Sequence, residues 1–212
     1  MTIEVKDIGT LDYAAAWDEQ KQRVEEVKDG AAGTFYLVEH PHVYTFGKSA
    51  DRNNLLVNDA FLAQIGAQRF DIERGGDITY HGPGQIVGYP IIDLNEIGIG
   101  VRVYVEKLEQ VLIDTLAEYG IETERVDGLT GIWLKEGRPR KIAALGIKVS
   151  RGVTMHGFAL NVNTDLNYFN HIVPCGISDK EVTTMQSELG KEIEMNEVKQ
   201  KLAVHFTHHF DS

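Results

Sequence analysis

The sequence predicts an α/β domain of the α+β kind, in which a mixed sheet carries flanking helices. Segments rich in Ile, Val, Tyr and Phe, bounded by glycine or proline, predict strands over 34–38, 86–94, 132–134, 142–149 and 153–162. Three other segments repeat apolar residues with the spacing of an α-helix. Helices interspersed among such strands are typical of one mixed sheet. The chain has no repeats or linkers, so we expect one domain over residues 1–212.

Each helix has a sequence signal at one end. Thr10 is predicted to cap a first helix that runs to about Lys28. The most regular helix spans Val101–Tyr119 and ends at Gly120, a residue that suits a helix C-terminus. Asn196 is predicted to cap a terminal helix.

Composition narrows the function. The chain carries 32 acidic and 21 basic residues, a net charge of −11, which disfavours nucleic-acid binding. Its apolar stretches are too short to cross a membrane and its N-terminus does not resemble a signal peptide. Cys175 is the single cysteine, so an intrachain disulfide is excluded and a reducing compartment, the cytoplasm, is expected.

A glycine-rich segment reads R74-G-G-D-I-T-Y-H-G-P-G-Q85. Glycines let a backbone approach a ligand closely, and too many occur here for a regular element. Exposed N–H groups of such a loop would hold a carboxylate, phosphate or carbonyl, and Arg74 and His81 would add positive charge. A plain turn is the alternative. The segment lacks the lysine–serine pair of a nucleotide-binding loop.

Two later segments, K141-I-A-A-L-G-I-K148 and M155-H-G-F-A-L-N-V-N163, look like strands interrupted by glycine. Such a glycine marks a bulge or a ligand pressed against the backbone. An ordinary hairpin is the alternative. The first follows a predicted hairpin over Leu134–Ile142, whose turn contains Gly137 and Pro139.

Cys175 stands between Pro174 and Gly176, on an irregular turn rather than in a regular element. A lone cysteine is commonly buried and inert. A reactive one requires a positive neighbour that stabilises the thiolate. Spacing alone leaves open whether lysine or histidine provides that charge.

Other polar residues have two interpretations. The basic cluster Arg138, Arg140, Lys141, Lys148 and Arg151 is either a solvated hairpin or a landing site for an acidic partner.

His81 and His156 lie inside the motifs and are candidates to orient a substrate, whereas His40 and His42 are assigned to structure. His205, His208 and His209 have chelating spacing, but a solvated helix is preferred over a metal site.

Together these segments resemble the lipoyl(octanoyl) transferase family. The resemblance is carried in order by V38-E-H-P-H-V-Y-T-F-G-K48, by the glycine-rich segment from Arg74 to Gln85, by G137-R-P-R-K-I-A-A-L-G-I-K148, by H156-G-F-A-L-N-V-N163 and by the run Pro174-Cys175-Gly176-Ile177. It covers roughly residues 33–189. The four motifs from Arg74 onward, in the right order, are more specific than any single one.

The resemblance implies the fold of biotin and lipoate protein ligase catalytic domains. It implies an octanoyltransferase of lipoate biosynthesis that needs no cofactor or metal. Octanoyl would pass from octanoyl-acyl carrier protein, by a Cys175 thioester, to a lysine on the lipoyl domain of 2-oxoacid dehydrogenase E2 subunits or on the glycine cleavage H protein. Lys141 matches the lysine that lowers the pKa of the cysteine. The residues that match substrate-binding stretches are Arg74, Gly75, Gly76, Asp77, Ile78, Thr79, Tyr80, His81, Ala144, Leu145, Gly146, Gly157, Phe158 and Ala159.

Three rival functions stay open. An ATP-dependent lipoate or biotin ligase of the same fold would need no cysteine nucleophile. A non-catalytic carrier-binding module would need neither Cys175 nor Lys141. A cysteine hydrolase would release the acyl group to water and would need a histidine paired with the cysteine.

Overall fold

The computed structural model describes residues 3–173 and 181–210. In chain order its strands are β1 (Glu4–Thr10), β2 (Thr34–Glu39), β3 (Val43–Phe46), β4 (Gln68–Asp71), β5 (Ile78–His81), β6 (Gln85–Ile91), β7 (Thr123–Val126), β8 (Leu129–Leu134), β9 (Arg140–Ser150), β10 (Val153–Asn161) and β11 (Glu181–Val182). Its α-helices are α1 (Tyr13–Lys28), α2 (Asp59–Gln64), α3 (Val101–Ala117), α4 (Met185–Leu189) and α5 (Met195–Phe210). Short 3₁₀ helices cover Arg52–Asn54 and Leu166–His171.

The strands of the described residues form two sheets. The larger follows the order β1-β2-β6-β10-β9-β8-β7, with β11 alongside β9, and the smaller follows β4-β3-β5. The pairs β1–β2, β3–β4 and β9–β11 are parallel, and the other pairs are antiparallel. The prediction of a mixed sheet with flanking helices is confirmed.

The larger sheet is covered on both faces. Phe35 and Leu37 of β2 pack with α3 and α5, whereas the alternate residues Tyr36 and Val38 pack with α1. Strand side chains alternate between faces, so β2 is apolar on both faces from Phe35 to Val38. Burial of each large apolar side chain contributes about 1.5–3 kcal/mol.

Helix boundaries differ from prediction at the N-termini. Thr10 ends β1, and α1 begins after Asp12, whose side chain makes no capping hydrogen bond. The terminal helix begins at Met195, so Asn196 lies inside it. The helix from Val101 is confirmed, and Gly120 adopts the expected left-handed conformation at φ +74°.

The β8–β9 hairpin is confirmed, with Gly137 in its turn at φ +79°. The glycine-rich segment is not irregular throughout, because residues 78–81 form β5 and pair with β3. Ile, Thr and Tyr favour strands, and pairing with β3 outweighs the neighbouring glycines.

Candidate active site

A cavity of about 650 Å³ is lined by residues from both sheets and from α1 and α3. Three motifs that lie far apart in the sequence meet on its wall. The nominated residues found there are Arg74, Gly75, Gly76, Asp77, Ile78, Thr79, His81, Lys141, Ala144, Leu145, Gly146, Gly157, Phe158 and Ala159.

Two nominated residues are not placed on this wall. Tyr80 packs in the cluster around the smaller sheet, where its hydroxyl lies 2.7 Å from His42 Nδ1 and its ring stacks on Tyr168. Tyr80 shares its strand face and its cluster with Ile78, whereas Thr79 and His81 point to the opposite face. Cys175 lies outside the described residues.

The glycine-rich loop lies against the backbone of β9. Gly75 N donates to Ile147 O at 3.0 Å. A Cβ at Gly146 would stand 2.9 Å from Arg74 Cδ, and one at Gly47 would stand 2.2 Å from Gly76 O. Both positions therefore need glycine, because any side chain would push the loop off the sheet.

Arg74 is a buried cation, only 8% exposed. Its Nη2 donates to Thr45 O at 2.7 Å and to Thr45 Oγ1 at 3.1 Å, and its Nη1 donates to Gly75 O at 2.9 Å. These bonds tie the loop to β3. Its charge also disfavours a second positive charge on His81 or His156 and contributes to the low pKa of each.

Lys141 extends along the cavity wall from β9. Its Nζ lies 4.8 Å from the centre of the Trp133 ring, and Trp133 also lines the cavity. Gly131, at φ +121°, leaves room for this side chain, because a Cβ there would lie 2.7 Å from Ala143 O and 3.2 Å from Lys141 Cε. The lysine is thus held between an aromatic face and a glycine.

The chain on either side of the segment that carries Cys175 also reaches the cavity. Phe169 before it and Glu181 and Val182 after it line the wall. Val182 pairs with Lys141, and Thr183 N donates to Lys141 O at 2.9 Å. The residues that follow this segment are therefore hydrogen-bonded to the strand that carries Lys141.

His81 is buried and uncharged at neutral pH. Its Nδ1 lies 2.8 Å from Gln85 Oε1, across the tight turn 82–84. Burial lowers the pKa of His81 to about 3, and His40 and Arg74 add to the effect. The expectation that His81 supplies charge is therefore wrong for the free protein. It offers a neutral imidazole instead.

His156 is in a strained conformation within β10. Its φ is +59°, in the left-handed region, which costs a residue of this type about 1–3 kcal/mol. Neither ring nitrogen has a hydrogen-bond partner among the described residues, and the ring lines the cavity. Burial lowers the pKa of His156 to about 3, and Arg74 adds to the effect.

Several wall residues are not among those nominated from the sequence. Gln85 and Asn161 stand inside the quoted motifs, so the signal existed for them. Tyr13, Trp133, Val101, Val105 and Leu129 also line the cavity. The helical stripe of α3 predicts that Val105 is a core residue, and only the tertiary arrangement turns it toward the cavity.

The basic cluster is largely paired with carboxylates. Arg140 makes two hydrogen bonds to Glu188, at 3.0 and 3.1 Å, and Lys148 pairs with Glu73. Arg138 is 87% exposed in its side chain and lies 3.9 Å from Glu181. Positive potential at this edge is therefore weaker than the sequence indicates.

Two further sequence questions concern metals and membranes. Within residues 3–173 and 181–210, no group of three His, Cys, Asp or Glu side chains is arranged to hold a metal ion. Instead, His205 contacts Glu118, the residue after α3, at 2.5 Å, and His209 contacts Asp114 of α3 at 2.7 Å. Among the same residues, no helix has the length and apolar character needed to cross a bilayer.

Sequence comparison gives one family and many close relatives. The sequence model of the family described as lipoyl protein ligase A/B catalytic domain matches residues 12–207. An octanoyltransferase from Flavobacterium psychrophilum is 52% identical, over 99% of this chain and 97% of its own. One from Flavobacterium johnsoniae is 50% identical over the same shares.

Structural comparison agrees on the fold. The putative lipoate protein ligase of Thermoplasma acidophilum with bound lipoic acid superposes with a TM-score of 0.76 at 14% identity, covering 100% of this chain and 87% of that one. Biotin protein ligase from Aquifex aeolicus gives 0.53 at 13% identity, covering 100% and 70%. At such identities the likeness concerns the fold alone.

Proposed function

Because this chain belongs to the lipoyl protein ligase A/B catalytic domain family, we propose that it carries an octanoyl group on Cys175 between two protein substrates. The enzyme is an octanoyltransferase that acts in protein lipoylation. The proposal concerns the route of transfer and the residues that perform it.

The route has two balanced steps. The Cys175 thiolate attacks the carbonyl carbon of an octanoyl thioester on acyl carrier protein, and the carrier thiolate leaves. A lysine amine of a lipoyl domain then attacks the Cys175 thioester. The C–N bond forms, the C–S bond breaks, and one amine proton returns to the sulfur. Exchange between thioesters is nearly isoenergetic and amide formation is downhill, so ATP is not needed. A covalent intermediate lets two bulky proteins use one site in turn.

The position of Lys141 is the observation that carries this proposal. It lines the cavity, and its strand pairs with the residues that directly follow the segment of Cys175. An ammonium beside a thiol stabilises the thiolate. In the first step the Lys141 ammonium gives its proton to the leaving carrier thiolate, and the resulting neutral amine can then accept a proton from the attacking lysine and pass it to sulfur.

The cavity also suits the acyl chain. Val101, Val105, Leu145 and Phe158 give part of its wall an apolar surface. Roughly seven CH₂ and CH₃ groups at about 0.8 kcal/mol each would contribute about 5–6 kcal/mol when buried. This is enough to hold the octanoyl group during the exchange of protein partners.

The oxyanion of each tetrahedral intermediate requires N–H donors. In the glycine-rich loop, Gly75 N donates to Ile147 O and Ile78 N donates to Asp77 Oδ1. The N–H groups of Gly76 and Asp77 have no partner among the described residues. They are the loop's candidates for the oxyanion hole, alongside the backbone around Cys175.

Mass spectrometry tests the route. The enzyme is mixed with octanoyl-acyl carrier protein without ATP, and the peptide containing Cys175 is expected to gain one octanoyl group. A lipoyl domain from a 2-oxoacid dehydrogenase, or the glycine cleavage H protein, should then remove it and gain the same mass on lysine.

Cys175→Ser is the matched control and should abolish both events. Transfer that requires ATP and survives Cys175→Ser would establish a ligase. Release of free octanoate without amide formation would establish a hydrolase. Absence of any adduct would favour a carrier-binding module.

A further inference from the structure

A chain of buried hydrogen bonds leads from the backbone of Thr183, the residue after β11, to the cavity. Asn161 Nδ2 donates to Thr183 O at 3.2 Å, Gln85 Nε2 donates to Asn161 Oδ1 at 2.9 Å, and His81 Nδ1 lies 2.8 Å from Gln85 Oε1. Gln85 and Asn161 face each other directly across the β6–β10 pair. We call these four residues the amide relay.

Both amides in the relay have only one satisfactory orientation. Thr183 O is a carbonyl that can only accept, so the NH₂ group of Asn161 must face it. Gln85 Nε2 lies 3.2 Å from Tyr80 O, another obligate acceptor, so its NH₂ group is fixed in the same way. Gln85 Oε1 is then the atom that faces His81. Rotation of either amide would set two oxygens against each other in a buried site.

This orientation determines the tautomer of His81. An oxygen acceptor at Nδ1 requires that Nδ1 carry the hydrogen, and a neutral imidazole carries only one. Nε2 therefore keeps its lone pair. It makes no hydrogen bond to any described residue, and the ring lines the cavity.

We propose that Gln85 and Asn161 are positioning residues that hold His81 as its Nδ1–H tautomer, so that Nε2 accepts a hydrogen bond from the attacking lysine amine. The identity of this donor rests on the proposed function, whereas the tautomer does not. A neutral primary amine donates through N–H while its lone pair attacks carbon. A hydrogen bond to His81 orients that lone pair, and the proton still goes to Lys141 and then to sulfur.

The surroundings of His81 favour a neutral acceptor over a base. Tyr13 stacks on the ring at 6.1 Å between centroids, and the His40 ring lies 5.9 Å away. Arg74 and His156 are the other polar groups that act on it, and both oppose a positive charge there. His81 therefore stays uncharged over the pH range in which the enzyme would act.

Nuclear magnetic resonance of the free enzyme tests the tautomer directly. Long-range proton–nitrogen correlation of the 15N-labelled histidine rings distinguishes Nδ1–H, Nε2–H and the imidazolium. The chain has eight histidines, and the His81 signals are assigned by their loss in His81→Gln. We expect Nδ1–H. An Nε2–H tautomer in the folded wild-type protein would overturn the relay.

Gln85→Glu tests the consequence for catalysis. A carboxylate next to His81 favours the imidazolium, so both ring nitrogens should carry hydrogen at neutral pH and Nε2 should no longer accept. With pre-formed octanoyl-enzyme, transfer to a lipoyl domain should slow about 10–100-fold at pH 7 and recover as the pH rises. Acylation of Cys175 by the carrier should be slowed less than the transfer step.

A second variant covers the case in which Gln85→Glu does not fold. Gln85→Met keeps the shape but removes the acceptor, so the Nδ1–H preference should weaken and transfer should slow without a new pH dependence. An unchanged transfer rate in a folded variant with an altered tautomer would refute the role of Nε2. Failure of Cys175 to become acylated would refute the proposed route but leave the tautomer result standing.

Discussion

The ammonium nitrogen of Lys141 lies 4.8 Å from the centre of the Trp133 ring, and both side chains line the cavity. A cation over an indole face is stabilised by about 1–2 kcal/mol when it is shielded from water. The indole therefore fixes where the positive charge of the site lies.

Trp133→Leu should slow acylation of Cys175, because the ammonium loses its support and its fixed position. A loss of about 1–2 kcal/mol corresponds to roughly a 5–30-fold lower rate. Single-turnover acylation with octanoyl-acyl carrier protein measures it. Trp133→Phe keeps an aromatic face and should retain most of the rate. Equal losses in the two variants would show that the aromatic face is irrelevant.

Lys141→Arg should separate the two proposed roles of the lysine. Arginine retains a positive charge but cannot lose its proton under ordinary conditions. The thiolate should still form, so the rate of Cys175 alkylation by iodoacetamide should stay near the wild-type value. Transfer from octanoyl-enzyme to the lipoyl domain should fall by about 100-fold or more. If both rates fell together, a single electrostatic role would be sufficient.

Val105→Phe should shorten the acyl chain that the enzyme prefers. Val105 lines the cavity, and the larger ring would occupy space available to the chain. Each methylene excluded removes about 0.8 kcal/mol of binding, so octanoyl should lose more than butyryl. Competition between carrier thioesters of different length measures the shift.

Val103→Phe is the matched control for this experiment. Val103 lies on the same helix but is 41% exposed and does not line the cavity, so chain-length preference should not change. A similar shift in both variants would mean that the effect arises from α3 as a whole.

The pH dependence of stability should reveal the buried neutral histidines. The pKa of His156 is about 3 in the folded protein, against an ordinary value of 6.5, so the unfolded chain binds the proton first. The contribution of neutral His156 to the free energy of unfolding is fully present above pH 6.5 and is lost as the pH drops from 6.5 toward 3. At pH 5 this one group lowers the free energy of unfolding by about 2 kcal/mol relative to its value at neutral pH.

His156→Asn isolates that contribution, since asparagine tolerates the left-handed backbone better than most residues. The loss in unfolding free energy between pH 7 and pH 5, measured with urea, should be about 2 kcal/mol smaller than in the wild type. His208→Asn, at an exposed position of α5, should keep the wild-type loss. An unchanged loss in His156→Asn would contradict the buried, neutral assignment.

Helices and strands whose apolar residues form a clear sequence pattern could be predicted from the sequence. The stripe of Leu108, Leu112 and Leu116 identifies α3, and the β-rich run through Ile142 identifies β9. In contrast, β1 was not predicted. It lies at the edge of the sheet with largely exposed side chains, so no apolar alternation marks it.

Only those residues of the site that lie inside the sequence motifs could be predicted. The nominated glycines do lie on the cavity wall, because close approach of backbones requires glycine. The left-handed backbone of His156 could not be foreseen, since ordinary propensity disfavours it and only the surrounding sheet enforces it. The roles of Gln85 and Asn161 likewise depend on cross-strand register, which local sequence does not reveal.

The paired hydrogen bonds between Arg140 and Glu188 separate the exposed turn 135–139 from Lys141, the next residue along β9. Because this pair holds Arg140 in place, a movement of the turn or an insertion into it should not displace Lys141. The turn is therefore a suitable place to insert an affinity tag or attach a fluorophore, which would let binding of protein substrates be followed without disturbing the site.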